Sequence, residues 1–380
     1  MRLFAACYPE DEAIGVALDD TVTPGKGPDV YGLSSHVDAV RSTRRHRAFC
    51  FGLCFVVLAV VVKVPFSNRA WALPVLFRLY ISKSVCQKMG FAYRKKTELA
   101  REMLALFATW FPGRRIEASL DCAYANATVA KDLPKNVVLF SRMRPDAVLT
   151  SPDVPVGGRG RPRKYGERLP TPEQRARDKS YPWDTDRMRL YGREQTVRFK
   201  TLRACWRRAF GDRLLSIVLV EVPTGKVNLQ VFFSTDATLS ADPKRAARAI
   251  LPRYARRWSI EQAFRDLKQH LGFGDSSARL PNAVRRTNPF VGLTFTVLVL
   301  WFAEYAVDAA KVPFRPWYRH KRNLSFEDIL RTARAVLRPT APFLVEACQN
   351  HNLHQSRPPN VRTLPGSSAS PAKACYVRPP

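Results

Sequence analysis

Acidic residues are what this 380-residue chain is short of: 32 Asp and Glu stand against 62 Lys and Arg, a formal net charge of +30. That balance argues against cationic partners and implies a polyanionic one, for which nucleic acid is the usual candidate. Small basic packing proteins are usually shorter and less hydrophobic than the 46% found here. No CxxC pair occurs among the eight cysteines, which removes the zinc-ribbon and dithiol spacings. Cys50 and Cys54, four apart in an apolar run, read as core residues. The His351/His354 pair has no Cys ligands nearby and is not read as a zinc site. A secretory signal is not expected, because Glu10, Asp11 and Glu12 stand where a basic and then apolar stretch would be needed; a reducing cytoplasm fits. Apolar runs are short. Phe49–Val62 is 14 residues without a charge before Lys63, and Phe290–Ala303 follows Pro289 and ends at Glu304. Neither reaches the length of a membrane span, so no membrane partner is expected. The first reads as buried strand and the second as a buried helix.

A chain of this length can bury a large core, as one domain with an insertion or as two domains. Strands are predicted over 14–20, 49–64, 115–121 and 136–140. Helices are predicted over 71–80 and 97–111, and 26–47 is read as a polar connection. The Pro-, Gly- and Arg-rich stretch 151–193, with Gly157-Gly-Arg-Gly-Arg-Pro-Arg163, reads as an exposed basic loop. Leu214–Val222 and Val227–Phe233 are β-like and separated by a Pro-Thr-Gly turn signal. Helix returns from Pro243, with Asp242 as N-cap and Pro252 as a kink or restart. The Pro/Ser-rich end, 356–380, has no hydrophobic period and is expected to be disordered. No internal repeat is visible.

The most informative stretch is Tyr254 to Lys268. Wound at about 100° per residue, it puts Tyr254, Arg257, Glu261 and Lys268 on a stripe about 60° wide. Ile260, Ala263, Phe264, Leu267 and Leu271 fall on an adjacent apolar face. One helix thus offers a carboxylate able to hold a divalent metal, flanked by cations able to clamp phosphate. An amphipathic basic helix with a solvated charged face would show the same periodicity.

The spacing Tyr-(2)-Arg-(3)-Glu-(6)-Lys, with Trp258 inside it and Leu271-Gly272 after it, resembles the motif around the catalytic Glu of bacterial DDE transposases of the insertion-sequence-four group. Weaker likeness extends over roughly residues 14–338. It includes Leu18-Asp19-Asp20-Thr21, Leu120-Asp121-Cys122-Ala123-Tyr124, the Gly-Arg-Pro-Arg loop, Phe233-Ser-Thr-Asp236 and the Pro316-Trp317-Tyr318 block. The resemblance implies an α/β, ribonuclease H-like core: a mixed sheet flanked by helices, with a β-rich insertion between the second Asp and the Glu. The chain would divide into 1–150, the first part of that core; 151–241, basic loop and insertion; 242–310, helical completion carrying the Glu; 311–355, a C-terminal helical region; and 356–380, the tail.

The same resemblance implies that Asp20, Asp121 and Glu261 bind two Mg²⁺ or Mn²⁺ ions and support strand cleavage and strand transfer on double-stranded DNA, at transposon ends and target. In the family the catalytic Asp commonly precedes Thr, which selects Asp20 over Asp19. Strand alternation then turns Asp19 to the opposite face. Asp146 is the rival to Asp121 and is read as a nearby polar residue, with Arg142 and Arg144 able to face DNA. Tyr254, Arg257 and Lys268 would hold phosphates. A hairpin mechanism would also need an aromatic to stack a flipped base; Trp206, Phe232 and Phe233 are open candidates. A homodimer in the DNA complex and a nucleoid-associated cytoplasmic location are implied as well. Family members usually carry a helical DNA-binding region before the first Asp, whereas 19 residues precede Asp20. The alternative expectation is therefore a truncated, non-catalytic DNA-binding remnant.

Overall fold

The computed structural model describes residues 8–9, 12–27, 29–38, 41–43, 45–154, 163–222, 229–239, 241–310, 321 and 323–337. The tail 356–380, the Pro316-Trp317-Tyr318 block, the His351/His354 pair, Pro223-Thr-Gly225 and most of the Gly-Arg loop lie outside them. One compact unit comprises Met1–Ala333 and a second Arg334–Pro380.

Among the described residues, twelve strands make one sheet: β1 Ile14–Pro24, β2 Ser34–Val37, β3 Phe49–Lys63, β4 Ala70–Tyr80, β5 Ile116–Leu120, β6 Val137–Met143, β7 Leu149–Thr150, β8 Arg168–Leu169, β9 Asp184–Leu190, β10 Arg193–Cys205, β11 Leu214–Glu221 and β12 Leu229–Ser234. The helices are α1 Lys83–Met89, α2 Lys96–Trp110, α3 Ala127–Ala130, α4 Pro172–Arg177, α5 Arg207–Phe210, α6 Pro243–Arg256, α7 Trp258–His270, α8 Pro281–Trp301 and α9 Phe326–Leu337.

The centre of the sheet runs β4-β3-β1-β5-β6. Its first two pairings are antiparallel, while β1–β5 and β5–β6 are parallel. This is the ribonuclease H-like arrangement, a mixed sheet with helices on both faces. The β-rich stretch between Asp121 and Glu261 is no separate layer: β12 pairs antiparallel with β6, and β11, β10 and β9 continue the same sheet outward.

β3 forms because its Val-rich run is covered on both sides; Cys54 to Val62 are all buried. Two faces follow from the β1–β3 register. Asp20 lies opposite Val56, and Val56 opposite Arg78, which bonds to Glu102 of α2. Asp19 lies opposite Val57, and Val57 opposite Phe77, whose ring meets Phe273 beyond α7. So α2 covers the Asp20 face. The segment α6–α8 covers the Asp19 face, with Ser119 donating to the Arg253 carbonyl (3.0 Å) and Thr296 to that of Pro74 (2.9 Å).

Three expectations need correcting. Residues 71–80 are strand, not helix: β4 pairs with β3 along its whole length. Its apolar residues face helices on one side and the core on the other, so the run shows no period of 2 to oppose a helical reading. The connection 26–47 contains β2, which closes a ribbon on β3. Finally, α8 begins at Pro281 and runs through Pro289. With the turn that follows, Pro281–Ala306 is long and apolar enough to cross a membrane by length and composition. One face of α8 buries Val284, Phe295 and Val299; Phe290, Leu293 and Val297 are exposed, so the helix is only half buried.

The packing of α7 gives a stability test. Ile260 is fully buried, so Ile260→Ala is expected to cost on the order of 2–5 kcal/mol in urea unfolding. Leu293→Ala, on the outer face of α8, should stay within about 0.5 kcal/mol. Equal losses would show that α7 does not seat on the core.

Candidate active site

β5 is buried along its whole length and ends at Leu120, so Asp121 emerges just past the strand, as the cap of the turn that follows. The Asp121 carbonyl accepts from Tyr124 N (3.0 Å) to start a single turn of 3₁₀ helix, and Ser141 of β6 holds the carbonyls of Leu120 and Asp121 at 2.9 and 3.3 Å. Asp19 and Asp20 sit on β1, next to β5. Helix α6 starts with Asp242 as N-cap, its side chain accepting from Arg245 N at 2.7 Å, and with Pro243 in the first turn. At Arg257 the bonding tightens to i→i+3: Arg257 N donates to the Tyr254 carbonyl and Ile260 N to that of Arg257. The backbone there stays helical, so α6 and α7 form a nearly continuous helix with the motif across the joint.

Arg257 is the centre of the site. Its guanidinium donates to Asp19 Oδ2 (2.7 Å) and, on the other arm, to Glu261 Oε1 (2.7 Å). Among the described residues, its Nε is buried without a hydrogen-bond partner. Burial opposes the charge, yet Tyr254 and the carboxylates of Asp19 and Glu261 more than offset it and hold Arg257 firmly protonated. The Tyr254 ring lies 5.6 Å from the guanidinium and 4.9 Å from the Phe232 ring, and it is buried. Burial chiefly, against the pull of Arg257 and with the help of Asp20 and Asp121, pushes the Asp19 carboxyl up to about 7. Burial raises the Tyr254 phenol, Arg257 and Arg142 lower it, and Asp121 raises it. Asp19, Asp121, Glu261, Arg257, Arg142 and Tyr254 thus form one electrostatic neighbourhood.

The placement of the two neighbouring acids differs from expectation. Asp19, not Asp20, faces the Glu261 helix. Asp20 turns to the α2 face, where its carboxylate accepts from Lys96 Nζ (2.6 Å) and from the Tyr124 hydroxyl (2.7 Å). The reason is parity: the β1–β3 register decides which of two adjacent residues meets which layer, and a single strand read alone does not display it. Lys268 reaches back to the Val22 carbonyl on β1 (2.9 Å). Asp146 pairs with Arg144 and is exposed. Phe232 and Phe233 are buried in the core, and Trp206 packs on Phe233 and Phe210.

Sequence reasoning missed Tyr191. With Gly192 it forms the two-residue turn between β9 and β10, and both have positive φ (53° and 80°). Burial raises its phenol, Arg257 and Arg142 lower it and Glu261 raises it. The Tyr-Gly pair between alternating residues was the signal that could have found it. Lys96 and Tyr124, the partners of Asp20, were also missed.

Among the described residues, no three His, Cys, Asp or Glu side chains are grouped to hold a metal ion. The donor chemistry does suit a hard divalent cation, since Asp19, Asp121 and Glu261 all offer carboxylate oxygen. As arranged, the Arg257 guanidinium stands between Asp19 and Glu261.

Asp20 gives a test of the second face. Asp20→Ala strands a buried phenol and an ammonium at once and should lower unfolding stability by about 1.5–3 kcal/mol; Tyr124→Phe should cost about 1 kcal/mol. Urea midpoints measure both, and an unchanged midpoint for Asp20→Ala would contradict the described network.

Residues 2–205 match the DDE superfamily endonuclease family. Asp19, Asp20 and Asp121 lie inside that match, and Glu261 lies beyond it. No curated protein matches the chain. Among solved structures, it is similar to a piggyBac transposase in a synaptic complex with hairpin DNA, at 9% identity and a TM-score of 0.42, covering 93% of this chain and 59% of that one. The chain thus spans less than two thirds of that protein. With the family match covering more than half of its residues, this chain belongs to the DDE superfamily endonucleases.

Proposed function

We propose that this protein is a transposase of the insertion-sequence-four type, cutting DNA strands at element ends and joining the freed end to another strand. The observation that carries the reading is Arg257, shared between a first-strand Asp and the Glu four residues on, with Asp121 in the same electrostatic neighbourhood. In this reading Asp19, Asp121 and Glu261 would hold Mg²⁺ or Mn²⁺, the ions that DDE superfamily endonucleases generally use being divalent. Bound ions would activate the attacking oxygen and stabilise the leaving one.

Asp20, the acid selected by its place before Thr21, then has a supporting part. By binding Tyr124 it ties the turn that follows Asp121 to β1. Arg257 is suited to phosphate. Its charge stands between the two acids, so a phosphate arriving there would meet a positive field. The Tyr254 ring packs beside that guanidinium, and Lys268 bonds to the carbonyl of Val22, three residues along β1 from Asp19. Double-stranded DNA as partner, a homodimer in the DNA complex and a nucleoid-associated cytoplasmic location belong to the same reading, as do a core over 1–150 and 242–310 and an insertion over 151–241.

A DNA-binding relative without cleavage is the second reading. The guanidinium between Asp19 and Glu261 favours it, because it holds the two acids on a cation of the protein's own.

Strand nicking on DNA bearing the element's ends, with Mg²⁺ or Mn²⁺, separates the two. Glu261→Gln and Asp19→Asn should each abolish nicking while DNA binding survives. Asp20→Asn, which keeps an oxygen for Tyr124, should nick at a reduced rate. Nicking that is lost in Asp20→Asn but intact in Asp19→Asn would return the metal role to Asp20. No nicking by the unaltered protein, with binding intact, would favour the second reading. Binding itself should fall steeply with salt, by a slope of roughly −0.9 in log K per neutralised phosphate. Replacing Arg257 and Lys268 with Ala should flatten that slope by up to about two. An unchanged slope would remove both from the DNA contact.

A further inference from the structure

β1 leaves β3 at the pair Pro24/Gly52, and β4 leaves it at Cys54/Tyr80. Beyond those points β3 and β2 continue as a two-stranded ribbon through Ser35/Phe51, His36/Cys50 and Val37/Phe49. Its two faces differ. Ser34 and His36 are buried, with His36 against the Tyr80 ring at 5.8 Å, so one face lies on the body of the protein. The other presents Val37, Phe49 and Phe51, at 47, 62 and 54% exposure. Past the paired residues Arg41, Arg45, His46 and Arg47 are exposed. Arg41 lies 3.6 Å from Asp38; among the described residues Arg45 and Arg47 have no ion-pair partner.

We infer that this ribbon is an arm that grips the double helix away from the cleavage point. This rests on the DNA-cutting reading of the Asp19/Glu261 site, because that site sets where the duplex lies. The spacing follows from the register. Asp19 pairs with Val57, so Phe51 and Phe49 lie six and eight residues along β3, roughly 20 and 26 Å away at about 3.3 Å per residue. Lys268, on the Val22 carbonyl, stands between them. The arginines beyond Phe49 come close to one helical turn, about 34 Å, from the acids. A duplex held at Asp19 and Glu261 and running along β3 would meet the ribbon within its next turn.

The chemistry fits the same partner. The major groove admits a two-stranded ribbon, arginines take the flanking phosphates, and exposed phenyl rings meet sugars and thymine methyls. A second copy of the chain fits poorly: two surfaces of a protein with net charge +30, each tipped with arginine, repel.

The test is anisotropy of a labelled 40-base-pair duplex of arbitrary sequence, titrated with the full chain at several salt concentrations. Arg45→Ala/Arg47→Ala should weaken binding about tenfold or more and flatten the salt slope by one to two. Phe49→Ser/Phe51→Ser should weaken binding with the slope unchanged, since no counterion is displaced by a phenyl ring. Both pairs are exposed, and matching thermal midpoints would show that the fold is kept. Wild-type affinity and slope in both variants would overturn the arm. So would unchanged DNA binding together with a shift from dimer to monomer in sedimentation, which would make the ribbon a self-association face. Because binding is the readout, the arm can stand even if the protein nicks nothing. It can also fall while Glu261→Gln still behaves as a cleavage-deficient binder.

Discussion

The guanidinium of Arg257 is the joint on which the site depends. The first strand and the motif helix lie 238 residues apart in sequence, and one buried side chain bonds to both, through Asp19 and Glu261. A charge taken out of water is costly unless it is paired and hydrogen-bonded. Here two carboxylates and a ring compensate it, so each acid is held where it is partly because Arg257 is charged. The same economy explains how a chain so poor in acid keeps several of its acids inside. Glu117 and Asp236 are buried, and both pair with Arg115; Glu117 also takes Arg253 at 2.7 Å.

A second constraint is continuity of the sheet. The insertion strands are hydrogen-bonded to β6 through β12, so the turn carrying Tyr191 is positioned by the same ladder that positions Asp19 and Asp121. Lys200 of β10 shows how tightly that extension is built. Its ammonium is buried, yet it donates to the carbonyls of Arg175, Ala176 and Asp178 at 2.8–3.1 Å, closing the last turn of α4. A cation at a helix C-terminus meets the negative end of the backbone dipoles, which offsets part of what burial takes away. Burial still lowers its affinity for the proton.

Much of this is legible in the sequence. The Val-rich run of β3, the strand leading to Asp121, the β11/β12 hairpin and the helix opening at Asp242-Pro243 carry local signals that tertiary structure left alone. The motif spacing likewise brought Arg257 and Glu261 together, because i and i+4 on a helix are neighbours whatever surrounds them. What was not legible depended on pairing. Trp71–Tyr80 is apolar throughout, so its periodicity names no element; pairing with β3 makes it a strand. Asp19 and Asp20 are indistinguishable in isolation, and the preference for the acid next to Thr21 gave no account of which layer lies on which face.

That pair shows how one step along a strand can divide labour. Asp19 is turned toward the helix that follows the insertion and Asp20 toward α2 and the turn after β5. One secures the third acid's helix to β1; the other secures the second acid's turn to it. The three places from which the carboxylates come are thereby referred to a single pair of adjacent residues. A one-residue slip in the β1–β3 register would exchange their faces, bringing Asp20 to Arg257 and leaving Lys96 and Tyr124 without an acceptor. The register is guarded by the apolar residues beside them, since Leu18, Val56, Val57 and Leu58 are all buried. Packing of ordinary aliphatic side chains is therefore what keeps the charged ones in their roles.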